Sequence, residues 1–446
     1  MQKLSFAVGF GLLAFGLGAY WLDFTQAKLV GAIVFLIYLW SSEALPLGVV
    51  SLLPLILFPA LSIMDLKSVA PNYAKEIIFL FIGGFLLAIG MQKTRLHEVI
   101  AAKLMALFPK SAKGVIYALA ITSAALSAFL SNTTVTIMLM PIALFLTTNT
   151  RLKVRYLLAT AYGASIGGIL TPIGTPPNLI LLGFLEDRGI AAPSFLEWIF
   201  LTLPVVGAMI LIVPALLARS VKDEPIACTT QEIRILSPEQ KLLGKILLAL
   251  VALLFLNAIL KPFFPQFVLN EKLLLLGFGL MLFLPNVAIL QWEDTKEMPY
   301  EIVFLFGAGF AIASAFLKTG LAKSIALALG IFAGLPLVVL LFIIALFVSF
   351  STEVTSNTAL TSISIPIFYE FAKSANLPIE IVLFTATIAA SYAFMLPIAT
   401  PPNAIVMSSR VIKIKEMAKI GFVINLLGVV IVSLCAIFFW RYFWSL

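Results

Sequence analysis

Ser131-Asn132-Thr133 returns as Ser356-Asn357-Thr358, 225 positions later. Two longer matches keep the same offset. Glu76-Ile77-Ile78-Phe79-Leu80-Phe81 pairs with Glu301-Ile302-Val303-Phe304-Leu305-Phe306, and Pro172-Ile173-Gly174-Thr175-Pro176-Pro177-Asn178 pairs with Pro397-Ile398-Ala399-Thr400-Pro401-Pro402-Asn403. Pro141 and Pro366 match too, as do Lys93-Thr94 and Lys318-Thr319. A constant offset held over a long stretch marks a duplicated unit.

The medium around these polar clusters follows from composition. The chain is 62% hydrophobic and 11% charged, against about 45–50% and about 25% in soluble domains. Long apolar runs recur from residue 5 onward, as in an all-α polytopic membrane protein. The N-terminal run, 4–22, lacks a clear small-residue cleavage site, so it is expected to stay as a first helix. The longest polar stretch, about 219–241, reads as a connecting loop. Cys228 and Cys435 lie far apart, in that loop and in the last helix, which gives no support for a disulfide. His97, the single histidine, sits among Lys93, Arg95 and Lys103 and reads as interfacial. One histidine and no cysteine pair disfavour a transition-metal site. Positive-inside bias accounts for the net charge of +8 without a nucleic-acid partner.

About eleven membrane segments are expected: near 5–22, 28–40, 45–61, 76–91, 153–186, 196–218, 241–260, 271–285, 299–317, 378–410 and 418–440. Segment 28–40 is short for a span, and Glu43 and Pro46 mark a break after it. Stretch 114–148 carries Ser123, Ser127, Ser131, Asn132, Thr133, Thr134 and Thr136 centrally. A re-entrant hairpin turning at Ser131-Asn132-Thr133 fits this better than one crossing, and 336–372 reads the same way about Ser356-Asn357-Thr358. Irregular backbone at that depth must be buried in protein or line a cavity. Two ordinary spans with packing serines and threonines leave the repeated asparagine unexplained. Segments 153–186 and 378–410 are overlong and interrupted by the proline motifs, so each is expected to be a helix with an unwound centre.

With a cytoplasmic N-terminus and both hairpins re-entering, 19 of the 29 Lys and Arg residues fall on the cytoplasmic side. The C-terminus is then external. The expected division is an N-terminal helix over 1–27, a first repeat over 28–240 and a second, inverted in topology, over 241–446. Stretches 93–108 and 318–333 read as interfacial helices, one on each face.

Inverted repeats with broken helices mark secondary transporters, with the site at the midplane. Half-helices beginning after the tips direct N–H groups and a positive dipole end at the site, which suits an anion. Asn132 and Asn357 add amide donors, and Thr133 and Thr358 hydroxyls. For cations, Ser127 lies one helical turn before Ser131, and Thr352 one turn before Ser356. With the unwound carbonyls near Gly174 and Ala399, each half gathers neutral oxygens of the kind that hold Na⁺. No Lys, Arg or His lies in either cluster. Glu353 is the acid set deepest in an apolar segment. It is read as a proton carrier, a gate or a structural acceptor for the tip, and its counterpart is Ala128. Glu43, Glu76 and Glu301 read as residues at membrane boundaries.

The two Ser-Asn-Thr tips, the stretch Thr352-Glu353-Val354-Thr355-Ser356-Asn357-Thr358, and above all Ser391-Tyr392-Ala393-Phe394-Met395-Leu396-Pro397-Ile398-Ala399-Thr400-Pro401-Pro402-Asn403-Ala404-Ile405-Val406 resemble the divalent anion/sodium symporter (DASS) family, in its dicarboxylate branch. The resemblance covers nearly all of the chain after residue 28. It implies a homodimer in a bacterial inner membrane, working by an elevator motion of a body that holds both hairpins and both broken helices. It places one sodium at Ser127, Ser131, Asn132 and Gly174 and another at Thr352, Thr355, Asn357 and Ala399. Asn132, Thr133, Ser356, Asn357 and Thr358 are implied to touch substrate, with Thr175 and Thr400 as neighbours.

The function expected is sodium-coupled import of C4 dicarboxylates such as succinate, malate and fumarate. A sodium-independent exchanger and a citrate or sulfate carrier are rivals within the class, and an anion channel lies outside it. No His–carboxylate or paired-carboxylate constellation speaks for an enzyme.

Overall fold

A computed structural model describes residues 2–42, 44–219, 221–223, 236–260, 263–264 and 269–444. Glu43 and Cys228 lie outside the described residues. Every regular element described is helical.

Gln2–Gly18 (α1) packs along Phe24–Ser42 (α2). They approach so closely that a methyl on Gly31 would stand 2.8 Å from the Gly11 carbonyl. The short-span expectation for 28–40 is corrected here: α2 has 19 residues and is long and apolar enough to cross a bilayer. The expected span 45–61 is instead two short helices, Leu47–Leu52 (α3) and Pro54–Ala60 (α4). Pro54 has no N–H to continue the ladder, so the chain restarts there. Leu66–Val69 (α5) and a 3₁₀ turn over Ala70–Ala74 lead into Glu76–Lys93 (α6) and the short Leu96–Ala106 (α7). His97, expected at the interface, is buried, with Nδ1 2.9 Å from the Met91 carbonyl oxygen.

The first hairpin has arms Ala112–Ser127 (α8) and Asn132–Phe145 (α9), joined through 128–131. Thr150–Gly167 (α10) and Pro176–Asp187 (α11) are halves of one interrupted helix. The prolines do more than break it. They fill the first positions of α11, where a missing N–H costs nothing, and they hold Thr175 extended at φ −148° and ψ 144°. Phe195–Ala218 (α12), Pro238–Leu260 (α13) and Glu271–Met281 (α14) follow.

From Tyr300–Lys318 (α15) the same order recurs. Leu321–Ala328 (α16) is short. Leu337–Ser351 (α17) and Asn357–Ser374 (α18) form a second hairpin through 352–356. Ile379–Ala389 (α19) and Pro401–Ser408 (α20) flank a second unwound stretch, with Thr400 extended at φ −144° and ψ 150°. Ile414–Cys435 (α21) runs on through a π-helical turn, Ala436–Trp440, into Arg441–Phe443 (α22).

Six helical stretches among the described residues are long and apolar enough to span: Phe24–Ser42, Leu66–Lys93, Phe195–Ala218, Pro238–Leu260, Tyr300–Lys318 and Ile414–Trp444. The hairpin arms and half-helices are shorter, because each stops inside the protein. Their ends meet in one continuous core, where Tyr156, Tyr162, Trp198, Phe384, Tyr392 and Phe394 are fully buried. A second, smaller core joins α1 to α5 with α15 and α16.

Candidate functional site

Both hairpin tips and both unwound stretches open on one cavity of about 910 Å³. Its lining includes Ser131, Asn132, Thr133, Gly174, Thr175, Thr355, Ser356, Asn357, Thr358, Ala399 and Thr400. The structure therefore gathers eleven of the thirteen candidate residues around one space. Among the described residues, no Lys, Arg, His, Asp or Glu belongs to the lining. The rest of the lining is mostly apolar, with Trp40, Leu47, Phe81, Phe85, Ile302 and Leu305, and includes Ser41 and Ser42.

Ser127 and Thr352 are the two candidates outside the lining. They are fully buried behind the tips. Ser127 Oγ donates to Asn132 Oδ1 at 2.5 Å, and Thr352 Oγ1 donates to Asn357 Oδ1 at 2.5 Å. Each hydroxyl fixes its asparagine, so the repeat is also a repeated hydrogen bond. Thr352 additionally lies 3.0 Å from the Ala390 carbonyl oxygen, a second acceptor for its one proton.

The first tip has the geometry of a small oxygen cluster. A methyl on Gly168 would stand 2.8 Å from Asn132 Oδ1 and 3.1 Å from the Gly174 carbonyl oxygen. Both oxygens thus face the same gap, and only a residue without a side chain leaves it open. The counterparts of Gly168 and Gly174 are Ala393 and Ala399, so the second unwound stretch tolerates methyls where the first does not.

The tips differ in their caps. Ser131 Oγ accepts from the Thr134 amide at 3.1 Å and lies 2.8 Å from Thr134 Oγ1, which occupies part of its capacity for an ion. Ser356 makes no such cap. Thr355 Oγ1 donates to the Ser351 carbonyl at 2.8 Å, leaving its oxygen lone pairs free.

Sequence reasoning missed the groups that hold the unwound stretches. Asn178 Nδ2 donates to the carbonyls of Gly168 at 3.2 Å and Thr171 at 2.8 Å. Its counterpart Asn403 donates to Ala393 and Leu396, both at 3.0 Å. Both asparagines are fully buried, so each pins a loop that the backbone ladder has abandoned. Their presence in the repeated Pro-Pro-Asn motif was the available signal. Thr171 Oγ1 ties the first stretch to the Ala128 carbonyl of the tip. Trp198 Nε1 donates to the Ile169 carbonyl at 3.0 Å, and Thr202 Oγ1 to the Leu170 carbonyl at 3.1 Å.

In the second half a carboxylate does this work. Glu353 is 3% exposed. Its Oε1 accepts from the Met395 amide at 2.9 Å and from Asn425 Nδ2 at 2.7 Å, and its Oε2 accepts from the Leu396 amide at 2.9 Å. Asn425 Oδ1 in turn accepts from the Phe394 amide at 3.3 Å. Of the three roles open to Glu353 in the sequence, these contacts describe a structural acceptor, but for the unwound stretch at 395–396 and for Asn425, not for the tip's own backbone.

Paired tips and paired unwound helices around one shared cavity define the architecture of a secondary transporter. The citrate transporter family CitMHS matches residues 37–389. The sodium-dependent dicarboxylate transporter SdcS of Staphylococcus saprophyticus is 31% identical over 431 residues, covering 90% of this chain and 83% of that protein. SdcS of Staphylococcus aureus strain USA300 is 31% identical over 429 residues, covering 89% and 82%. Among solved structures, Neisseria gonorrhoeae MtrF, described as one of a class of antimetabolite efflux pumps, superposes with a TM-score of 0.61 at 14% identity, covering 93% of this chain and 95% of that one. The Alcanivorax borkumensis YdaH transporter gives 0.53 at 16%, covering 84% and 87%. At these identities the two structures speak to fold alone. The chain belongs to the citrate transporter family, as the resemblance to divalent anion/sodium symporters led one to expect.

Proposed function

We propose that the protein is a sodium-coupled symporter that imports C4 dicarboxylates, succinate, malate or fumarate, across a bacterial inner membrane. The observation that carries this reading is the shared cavity: two Ser-Asn-Thr tips face it, and among the described residues no basic side chain belongs to its lining. A dianion placed there meets amide and hydroxyl donors but no fixed countercharge. Sodium beside each tip supplies that countercharge and makes anion binding depend on the cation. One ion is assigned to Ser127, Ser131, Asn132 and Gly174, and the other to Thr352, Thr355, Asn357 and Ala399. Asn132, Thr133, Ser356, Asn357 and Thr358 bind the carboxylates, flanked by Thr175 and Thr400. The names of the Staphylococcus relatives support both cation and substrate class.

Transport on this reading is an elevator motion. The hairpins, the broken helices, α12 and α21 move together against a frame of α1 to α6 and α13 to α15, in a homodimer. The frame and moving body derive from two inverted repeats, 28–240 and 241–446, after an N-terminal helix. The N-terminus is cytoplasmic and the C-terminus external.

Labelled succinate uptake into proteoliposomes tests the function. Accumulation driven by an inward sodium gradient into empty vesicles is expected. Uptake that needs internal dicarboxylate and ignores sodium would make the protein an exchanger. Sodium-driven uptake of citrate or sulfate alone would overturn the substrate.

The gap at Gly168 allows a sharper check. Gly168→Ala puts a methyl between Asn132 Oδ1 and the Gly174 carbonyl. The half-saturating sodium concentration should rise by roughly tenfold or more, a loss of about 1.4 kcal/mol or more. Unchanged sodium dependence in this variant removes the first ion from that gap.

A further inference from the structure

We propose that the ion pairs joining the end of α11 to the start of α14 and the entry of α6 form a one-sided latch that holds the transporter in the present state. The proposal rests on the moving-body reading above.

Lys272 Nζ lies 2.9 Å from Glu186 Oε1 and 3.0 Å from Glu76 Oε2. Lys75 pairs with Asp187 and lies 4.6 Å from the centre of the Phe310 ring. Glu271 Oε2 accepts from the Phe195 amide at 2.6 Å. Glu186, Asp187 and Phe195 belong to the body assigned to move, while Lys75, Glu76, Glu271, Lys272 and Phe310 belong to the frame. Sliding one group past the other breaks the Lys272–Glu186, Lys75–Asp187 and Glu271–Phe195 contacts together.

Local helix energetics do not explain these residues. Glu186 and Asp187 close α11, where the negative end of the helix dipole disfavours acids. Lys272 is the second residue of α14, where the positive end disfavours a cation. Each charge is misplaced for its own helix and satisfied by its neighbour across the boundary. The lysine side chains are 19% and 20% exposed while their partners Asp187 and Glu186 are 40% and 34% exposed, so salt reaches these pairs from the carboxylate side.

The repeat supplies an internal control. At the offset of 225, Lys75, Glu186, Asp187 and Lys272 correspond to Tyr300, Val411, Ile412 and Leu47. Glu76 alone keeps its charge, as Glu301, and there Gly48 takes the place beside it: a methyl on Gly48 would stand 3.3 Å from Glu301 Cγ. That contact lies within the frame, and the residues matching Glu186, Asp187, Lys75 and Lys272 at the opposite end are all uncharged. Two end states related by the repeat are not equal in energy, and this cluster favours the one described.

The test is single-molecule energy transfer on the full-length protein in nanodiscs. Fluorophores go on Tyr20→Cys in the frame and Ala191→Cys in the moving body, both exposed, with Cys228 and Cys435 replaced by serine. In Lys75→Gln/Lys272→Gln, the present state should lose population to the other by about three- to tenfold, the span expected of partly buried pairs. Lys272→Glu alone should do the same, and Lys272→Glu with Glu186→Lys should restore the wild-type ratio. Raising salt from roughly 0.05 M to roughly 0.5 M should shift the wild type toward the double variant and leave that variant unmoved. Two exchanging states with the same ratio in all variants overturn the latch and leave the moving-body reading intact. A single distance under every sodium and succinate condition overturns the moving body and the latch with it.

Discussion

Asn357→Ala and Asn132→Ala each cut sodium-driven uptake by roughly ten- to a hundredfold and raise the sodium concentration needed for half-maximal rate. The size follows from losing a hydrogen bond to a charged partner, about 1.5–3 kcal/mol, with each 1.4 kcal/mol worth about tenfold. On the proposed site both effects appear together, because one amide is assigned to both cargoes. Its oxygen is held by Ser127 or Thr352 at 2.5 Å, and at the first tip it faces the gap shared with the Gly174 carbonyl. The amide belongs to a residue lining the cavity proposed to hold the anion. Uptake by equal amounts of reconstituted protein, measured across a sodium series, is the check. Wild-type sodium-driven uptake in either variant would falsify the site assignment.

Glu353→Ala should be the most damaging single change. It strands the Met395 and Leu396 amides and Asn425 Nδ2 in a buried place. Unsatisfied buried donors cost about 1–3 kcal/mol each, so a loss of more than about 3 kcal/mol is expected, seen as a lower unfolding temperature in detergent and abolished transport. Glu353→Gln keeps the shape but turns an amide N–H toward a backbone N–H, so it should lose stability and transport in step, by a smaller amount. A glutamine variant as stable as the wild type yet inactive would instead point to a proton carried by Glu353.

Much of this was legible because duplication writes the same chemistry twice. The hairpin tips at 131–133 and 356–358 and the unwound centres before Pro176 and Pro401 all lie where the repeated motifs put them. Proline and asparagine leave marks in a sequence that physics can read directly: a missing donor, an amide with no reason to sit in lipid. Other features left no such mark. That Pro176 and Pro401 begin helices as well as end unwound stretches depends on the flanking backbone. That α3 and α4 are two short helices depends on Pro54 losing its ladder bond without a neighbour to restore it. His97 resembled a surface residue by its charged neighbours, and only the packing of α7 buries it. Asn178, Asn403 and Asn425 act through carbonyls and amides brought close by tertiary packing. Glu353 was visible as a charge in an apolar run, but its partners at 394–396 and 425 are distant in sequence.

The unequal caps of the two tips bear on how the carrier tells loaded from empty. In α9 the first-turn amides are partly spoken for, since Ser131 closes its own helix. In α18 the cap is absent, and the first amides of a helix have no partner within it. On the proposed site, cargo at the second tip meets a helix end with no side-chain cap, whereas at the first tip the Thr134 amide is already taken. Hydrogen exchange at residues 357–359 should slow when sodium and succinate are added, while exchange at Thr134 changes little. Such a difference would make the second hairpin the half of the duplicated pair whose order depends on occupancy.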